Sequence, residues 1–161
     1  MTVDEYNKSV DLFADGIYRF ALKTLKDQDK AKDTVQDTYE KLWEKHKEVS
    51  YEKVKSYLFT TAYHASIDQI RKEKKKVDYE TGHSLDVSTN EQYSDVQEVL
   101  TRAVEQLPEI QKSVLLLRDY EGYSYEEIGE IIGLNESQVK VYIFRARLFL
   151  KNYLVSIENI I

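Results

Sequence analysis

Between Ser137 and Lys151 the chain carries four cations, Lys140, Arg145, Arg147 and Lys151, and no acid. Cations in such a segment pair with phosphate oxygens. Lys and Arg also reach guanine O6 and N7, Gln addresses adenine, and apolar side chains cover the thymine methyl. On a helix, Ser137, Lys140, Val141, Phe144, Arg145 and Leu148 share one side, with Gln138 and Arg147 at its margins, opposite a stripe of Val139, Ile143, Ala146 and Leu150. That side offers guanine contacts (Lys140, Arg145), an adenine contact (Gln138) and thymine contacts (Val141, Phe144). A second cationic stretch, Arg71-Lys72-Glu73-Lys74-Lys75-Lys76, follows a face of Tyr57, Thr61 and His64, with Tyr51 just before. A charge run alone is usually a solvated helix end. Rings beside a cationic track, however, are how single-stranded nucleic acid is held, since every base has a π-face and the cations follow the phosphates. A third row, Asp33, Asp37, Glu40 and Glu44, repeats at i, i+4, i+7 and i+11. Such a row is most often a wet face; as a site it suits a basic protein helix and repels DNA.

Other chemistries lack their residues. With no cysteine there is no disulfide, thiolate nucleophile or cysteine zinc site, which fits a reducing cytoplasm. The three histidines, His46, His64 and His83, stand 18 and 19 residues apart, so no two share a helix face as a metal pair would. There is no Gly-rich phosphate loop and no Gly-x-Ser-x-Gly, and the helix-capping role of Glu126 and Glu127 accounts for them. The expectation is no catalytic residue, no metal and no cofactor.

The elements that must carry these residues are helices. Five Gly and one Pro in 161 residues leave too few turn-formers for a sandwich or barrel. Apolar spacing predicts helices over 3–25 (Tyr6, Val10, Phe13, Ile17, Phe20), over 30–46 capped by Asp29 (Ala31, Val35, Tyr39, Leu42, Trp43 inward), and over about 55–76 (Leu58, Phe59, Ala62, Ser66, Ile70 inward). From 77 to 93 periodicity is lost, predicting a flexible acidic linker. Ser94-x-x-Gln97 opens a helix to about Leu107, Pro108 begins another ending at Gly122, and Ser124-x-x-Glu127 caps a short helix that stops at Gly133. Asn135 caps the last. Helix, three-residue turn with Gly, and helix make a helix-turn-helix. The fold expected is all-α: a domain over 1–77, a linker over 78–93, and a domain over 94–161. No apolar run approaches a membrane span and the N-terminal text lacks a signal peptide's order, so a soluble cytoplasmic protein is expected. Net charge is −6, yet the two cationic stretches stand out as islands in an acidic chain.

Residues 29–46, 54–75 and 107–151, from Asp-Lys-Ala-Lys-Asp through Tyr-Ser-Tyr-Glu-Glu-Ile to Val-Lys-Val-Tyr, resemble regions 2 and 4 of bacterial sigma-70 factors, most nearly the two-domain extracytoplasmic-function (ECF) group. The resemblance implies a non-catalytic subunit that binds RNA polymerase core through the β′ clamp helices and β flap and recognises promoter DNA. It further implies that Lys140, Val141, Phe144 and Arg145 face the minus-thirty-five groove while Arg118 touches the backbone. The loop at 47–56 would capture a flipped minus-ten base, with Tyr51 and Tyr57 as stacking candidates and His64, Arg71 and Lys72 alongside. Asp33, Gln36 and Asp37 match the polymerase-binding stretch, and the family admits an anti-sigma factor as a further partner. Tyr57-Leu58 stands for the family's usual Trp-Leu, Ala62-Tyr63-His64 for Ala-Arg-Asn, Val141-Tyr142 for a small residue and Arg, and Gln138 for Thr, so promoter sequence does not transfer. Two rivals remain: a regulator binding DNA by its helix-turn-helix without polymerase, and a protein-binding helical adaptor.

Overall fold

The computed structural model describes the backbone over 1–79 and 96–160 and the side chains over 1–76 and 96–156. Among the described residues the regular structure is entirely helical, and the chain divides into two compact units.

In the N-terminal unit, α1 (Val3–Leu25), α2 (Gln28–Lys45) and α3 (Val54–Tyr79) pack pairwise as a three-helix bundle. Thr2 and Glu5 form a reciprocal capping box at the start of α1. Two residues reverse the chain into α2: Lys26 takes a left-handed φ of 58°, and extended Asp27 accepts the Lys30 N–H at 3.0 Å. The cap is therefore Asp27, and the expected Asp29 instead lies in the first turn, where its charge complements the exposed N–H groups. Ile17, Phe20 and Ala21 of α1, Ala31, Tyr39 and Leu42 of α2, and Leu58, Phe59, Ala62, Tyr63 and Ile67 of α3 form the core. Phe20 meets Phe59 edge to face at 6.4 Å. Each such ring contributes roughly 1.5–3 kcal/mol by burial. The exposed Lys30–Glu73 ion pair joining α2 to α3 contributes about 0–1 kcal/mol, so apolar packing sets the bundle's geometry.

Helix α3 begins directly from a 3₁₀ turn, Tyr51–Lys53, and continues three residues past its expected end at 76. Residues 78 and 79 are thus helical; the rest of the expected linker, 80–93, and the cap at Ser94 lie outside the described residues.

In the C-terminal unit, α4 (Val96–Glu105) and α5 (Glu109–Leu115) pack on α7 (Glu136–Ile160). Helix α6 (Tyr125–Ile132) precedes α7 in the chain. Pro108 is the N-cap of α5, one residue before the helix. Its end departs from the expected single helix: Leu116–Tyr120 form a π-helical turn, with Glu121 N–H reaching Leu116 O at 3.1 Å. All four residues from Val114 to Leu117 are buried, more than one face of an α-helix provides, so neighbours enclose this segment from several sides.

The turn between α6 and α7 depends on two glycines. Gly133 adopts φ +88°, which a Cβ disfavours. A Cβ on Gly129 would sit 2.5 Å from Leu134 O, a backbone atom whose own N–H bonds Gly129 O at 3.0 Å. Alanine gains about 1 kcal/mol of helix propensity, but strain against backbone costs about 1–3 kcal/mol. Gly129→Ala should therefore lower the melting temperature of the C-terminal unit by several degrees in a thermal melt followed by circular dichroism; an unchanged or raised midpoint contradicts this close approach.

Candidate nucleic-acid and protein interfaces

Helix α7 starts at a reciprocal pair of bonds: Gln138 N–H donates to Asn135 Oδ1 at 2.8 Å, and Asn135 N–H donates to Gln138 Oε1 at 3.0 Å. Ser124 and Glu127 repeat the arrangement at α6, at 3.1 and 2.9 Å. These local bonds fix both helices of the helix-turn-helix. Val139, Ile143 and Ala146 anchor α7 in the core. The opposite face is the predicted one: Lys140 and Arg145 are exposed, Val141 is 44% and Phe144 68% exposed, and Leu148 continues the row. Exposed apolar groups flanked by cations suit a surface that meets both phosphates and thymine methyls. With its Oε1 already accepting the Asn135 N–H, Gln138 still offers its amide N–H donors and a second lone pair on Oε1.

Arg118 is half-buried and already engaged. Its Nη1 donates to Tyr123 O at 2.9 Å, and its guanidinium lies 4.4 Å from the Tyr125 ring centroid. Lys140 approaches the same ring at 5.6 Å. Arg147 donates to both carboxylate oxygens of Asp119, at 2.5 and 3.3 Å, and that bond holds its guanidinium above the ordinary arginine range. Arg147, expected at the margin of the groove face, is paired with the π-helical turn. No local signal in the sequence announces the partners of Tyr125, which lie 7 and 15 residues away.

On the N-terminal unit, Tyr51 and Tyr57 are half-buried, one on the 3₁₀ turn and one in the first turns of α3, while His64, Arg71 and Lys72 are exposed further along. His64 packs its ring against Tyr63 at 5.5 Å. From Tyr57 to Arg71 the helix spans about 21 Å at 1.5 Å per residue, a track long enough for several nucleotides.

The acidic row is outward: Asp33, Asp37, Glu40 and Glu44 are all exposed, as is Gln36. Beside it runs a groove between α1 and α2, lined by Tyr6, Val10, Ala14, Val35, Tyr39 and Trp43 with Gln36 and Glu40 on its rim. Trp43, expected in the core, is 46% exposed, because Leu42 fills the inward position and Trp43 lies one residue around the helix. Its ring stacks on His46 at 4.4 Å and meets Tyr6 edge to face at 5.1 Å. The groove floor is tied by three bonds: Ser9 Oγ to Tyr6 O at 2.6 Å, Tyr6 Oη to Tyr39 O at 3.0 Å, and Tyr39 Oη to Ser9 O at 2.7 Å. Burial pushes the Tyr39 hydroxyl well above the ordinary phenol range, so it stays a donor.

No group of three or more His, Asp or Glu among the described residues is placed to hold a metal ion, and no helix there is long and apolar enough to cross a membrane.

Comparison with known proteins matches residues 10–76 to the family described as Sigma-70 region 2 and residues 97–150 to Sigma-70, region 4. The chain is similar to the ECF RNA polymerase sigma factor SigM of Bacillus subtilis (strain 168), 31% identical over 156 residues, covering 94% of each chain. It is also similar to the RNA polymerase sigma factor SigV of the same organism, 35% identical over 132 residues, covering 80% of this chain and 78% of the relative. Among solved structures, the sigma factor RpoE in complex with the anti-sigma factor NepR from Bartonella quintana aligns with a TM-score of 0.78 and 26% identity, covering 94% of this chain and 98% of that one.

Proposed function

Because the chain belongs to the ECF sigma factors of the sigma-70 family, and so is an alternative sigma factor directing transcription initiation, we propose that its two units divide promoter recognition. The C-terminal unit, within 94–161, reads the minus-thirty-five element through Lys140, Val141, Phe144 and Arg145, with Arg118 toward the backbone and Gln138 contributing its side-chain amide. The N-terminal unit, within 1–77, takes the minus-ten element: Tyr51 and Tyr57 stack an unpaired base, and His64, Arg71 and Lys72 follow its strand. Flipping that base costs a few kcal/mol, which stacking on a ring must offset. Asp33, Gln36 and Asp37, beside the aromatic groove, bind RNA polymerase core at a basic helical surface such as the β′ clamp helices, and the β flap holds the other unit. The subunit has no catalytic chemistry of its own and acts in the cytoplasm. An anti-sigma factor is a further partner, a reading supported by the similarity to RpoE, which was solved in complex with NepR.

The observation that carries this reading is the α7 face, two exposed apolar groups flanked by two exposed cations on the second helix of a doubly capped helix-turn-helix. The whole chain carries a net charge of −6, which repels DNA outside the two cationic stretches and makes recognition depend on the polymerase. Run-off transcription with core polymerase and a genomic promoter library should yield discrete transcripts. Footprints on those promoters should be extended and appear only with core present. A palindromic footprint from the free chain would instead identify a stand-alone regulator, and an absence of any footprint or transcript would favour a protein-binding adaptor.

A further inference from the structure

We propose that Tyr125 is a positioning residue that presets the promoter-facing cations of the C-terminal unit, an inference that rests on the assignment of α7 as the reader of the minus-thirty-five element. Tyr125 is the first residue of α6, half-buried, and touches neither core nor solvent exclusively. Arg118, from the π-helical turn, lies 4.4 Å from its ring centroid, and Lys140, from α7, lies 5.6 Å from the same point. Both fall within the roughly 6 Å over which a ring face attracts a cation. One ring therefore gathers cations from two other elements.

The kind of partner decides what a held cation can still do. Asp119, next in the chain to Arg118, takes Arg147 in a two-point ion pair, which cancels much of that charge and fixes α7 to the π-helical turn. Arg147 is thus a lock. A phenol ring orients a cation without neutralising it, so Lys140 and Arg118 remain available to phosphate or a base edge. A lysine head on its flexible stem otherwise loses rotamer freedom when it engages DNA, and prior orientation removes part of that loss. Adjacent residues Arg118 and Asp119 thereby serve different ends: one is turned toward the ring of α6, the other toward the guanidinium of α7.

The test uses complete sigma and core polymerase on the promoter fragment that gives the strongest run-off transcript, with affinity measured by competition. Tyr125→Leu keeps apolar bulk and loses the ring, and should weaken promoter binding about fivefold. Tyr125→Phe, the conservative variant, should restore affinity to within about twofold of wild type. Placing pentafluorophenylalanine at 125 keeps the ring's shape and reverses the charge of its face, so it should match the leucine variant; it decides the matter if the leucine variant melts. In a Lys140→Ala background the effect of Tyr125→Leu should shrink to about twofold or less. Equal behaviour of the fluorinated ring and phenylalanine, or an undiminished loss in the Lys140→Ala background, overturns the proposal and leaves Tyr125 a packing residue. Full promoter binding by Lys140→Ala alone is a distinct result, which overturns the assignment of α7 itself.

Discussion

Replacing Lys140 and Arg145 together by alanine should lower transcription from a dependent promoter about a hundredfold. Contacts from a Lys or Arg to a guanine edge are each worth about 1–3 kcal/mol, and 1.4 kcal/mol corresponds to tenfold. Two contacts therefore supply about 2–6 kcal/mol, a range that includes the about 2.8 kcal/mol that a hundredfold loss requires. Both side chains are exposed and stand outside the capping bonds that start α7, so surface truncation should leave stability within about 0.5 kcal/mol. The loss should appear in promoter binding by the assembled polymerase while core association stays as in wild type. Arg147→Ala provides the contrast: with its charge already paired to Asp119, removing it should lower the melting temperature more than the salt dependence of promoter binding. If the Lys140 and Arg145 double variant transcribes normally, α7 does not read DNA.

The residues of that face were legible in the text because helical period and capping are local. Val139, Ile143 and Ala146 are buried where a 3.6-residue repeat puts them, and the pairs Ser124–Glu127 and Asn135–Gln138 each close within three residues. Local signals also have local ambiguities. Asp27 and Asp29 are both good caps, and which one caps is decided by where Lys26 turns left-handed, a feature of the reversal rather than of either acid. Trp43 lies at the edge of the apolar stripe, where period alone leaves burial open; a three-helix bundle that already buries Leu42 has no room for it. The π-helical turn begins within an unbroken apolar run, Val114 to Leu117, and runs on to Tyr120, a stretch that reads equally well as continuous α-helix. Long-range pairings left no trace in the sequence at all. Asp119 meets Arg147 across 28 residues, and Tyr125 meets Arg118 and Lys140 only after three elements fold together.

The misplaced tryptophan has the second large consequence. Trp43→Ala should weaken binding of the chain to core polymerase about thirtyfold or more, chiefly through faster dissociation. Large rings that fill a partner's pocket at the centre of an interface commonly carry 2 kcal/mol or more, and about 2 kcal/mol corresponds to roughly thirtyfold. The fold itself has little stake in the ring: Trp43 is about half exposed and touches Tyr6 and His46, whereas the bond from Tyr6 to Tyr39 O and that from Tyr39 to Ser9 O remain when it is removed. The neighbouring carboxylates should behave differently. Asp33→Lys with Asp37→Lys puts cations where a basic helix must approach, and exposed charges act mainly on encounter, so association should slow and lose its dependence on salt. Kinetic traces from immobilised core polymerase separate the two: a raised off-rate for the tryptophan variant and a lowered on-rate for the charge-reversed one. Wild-type traces from both variants would remove the α1–α2 groove from the polymerase interface, and the exposed Trp43 would then be without a role in core binding.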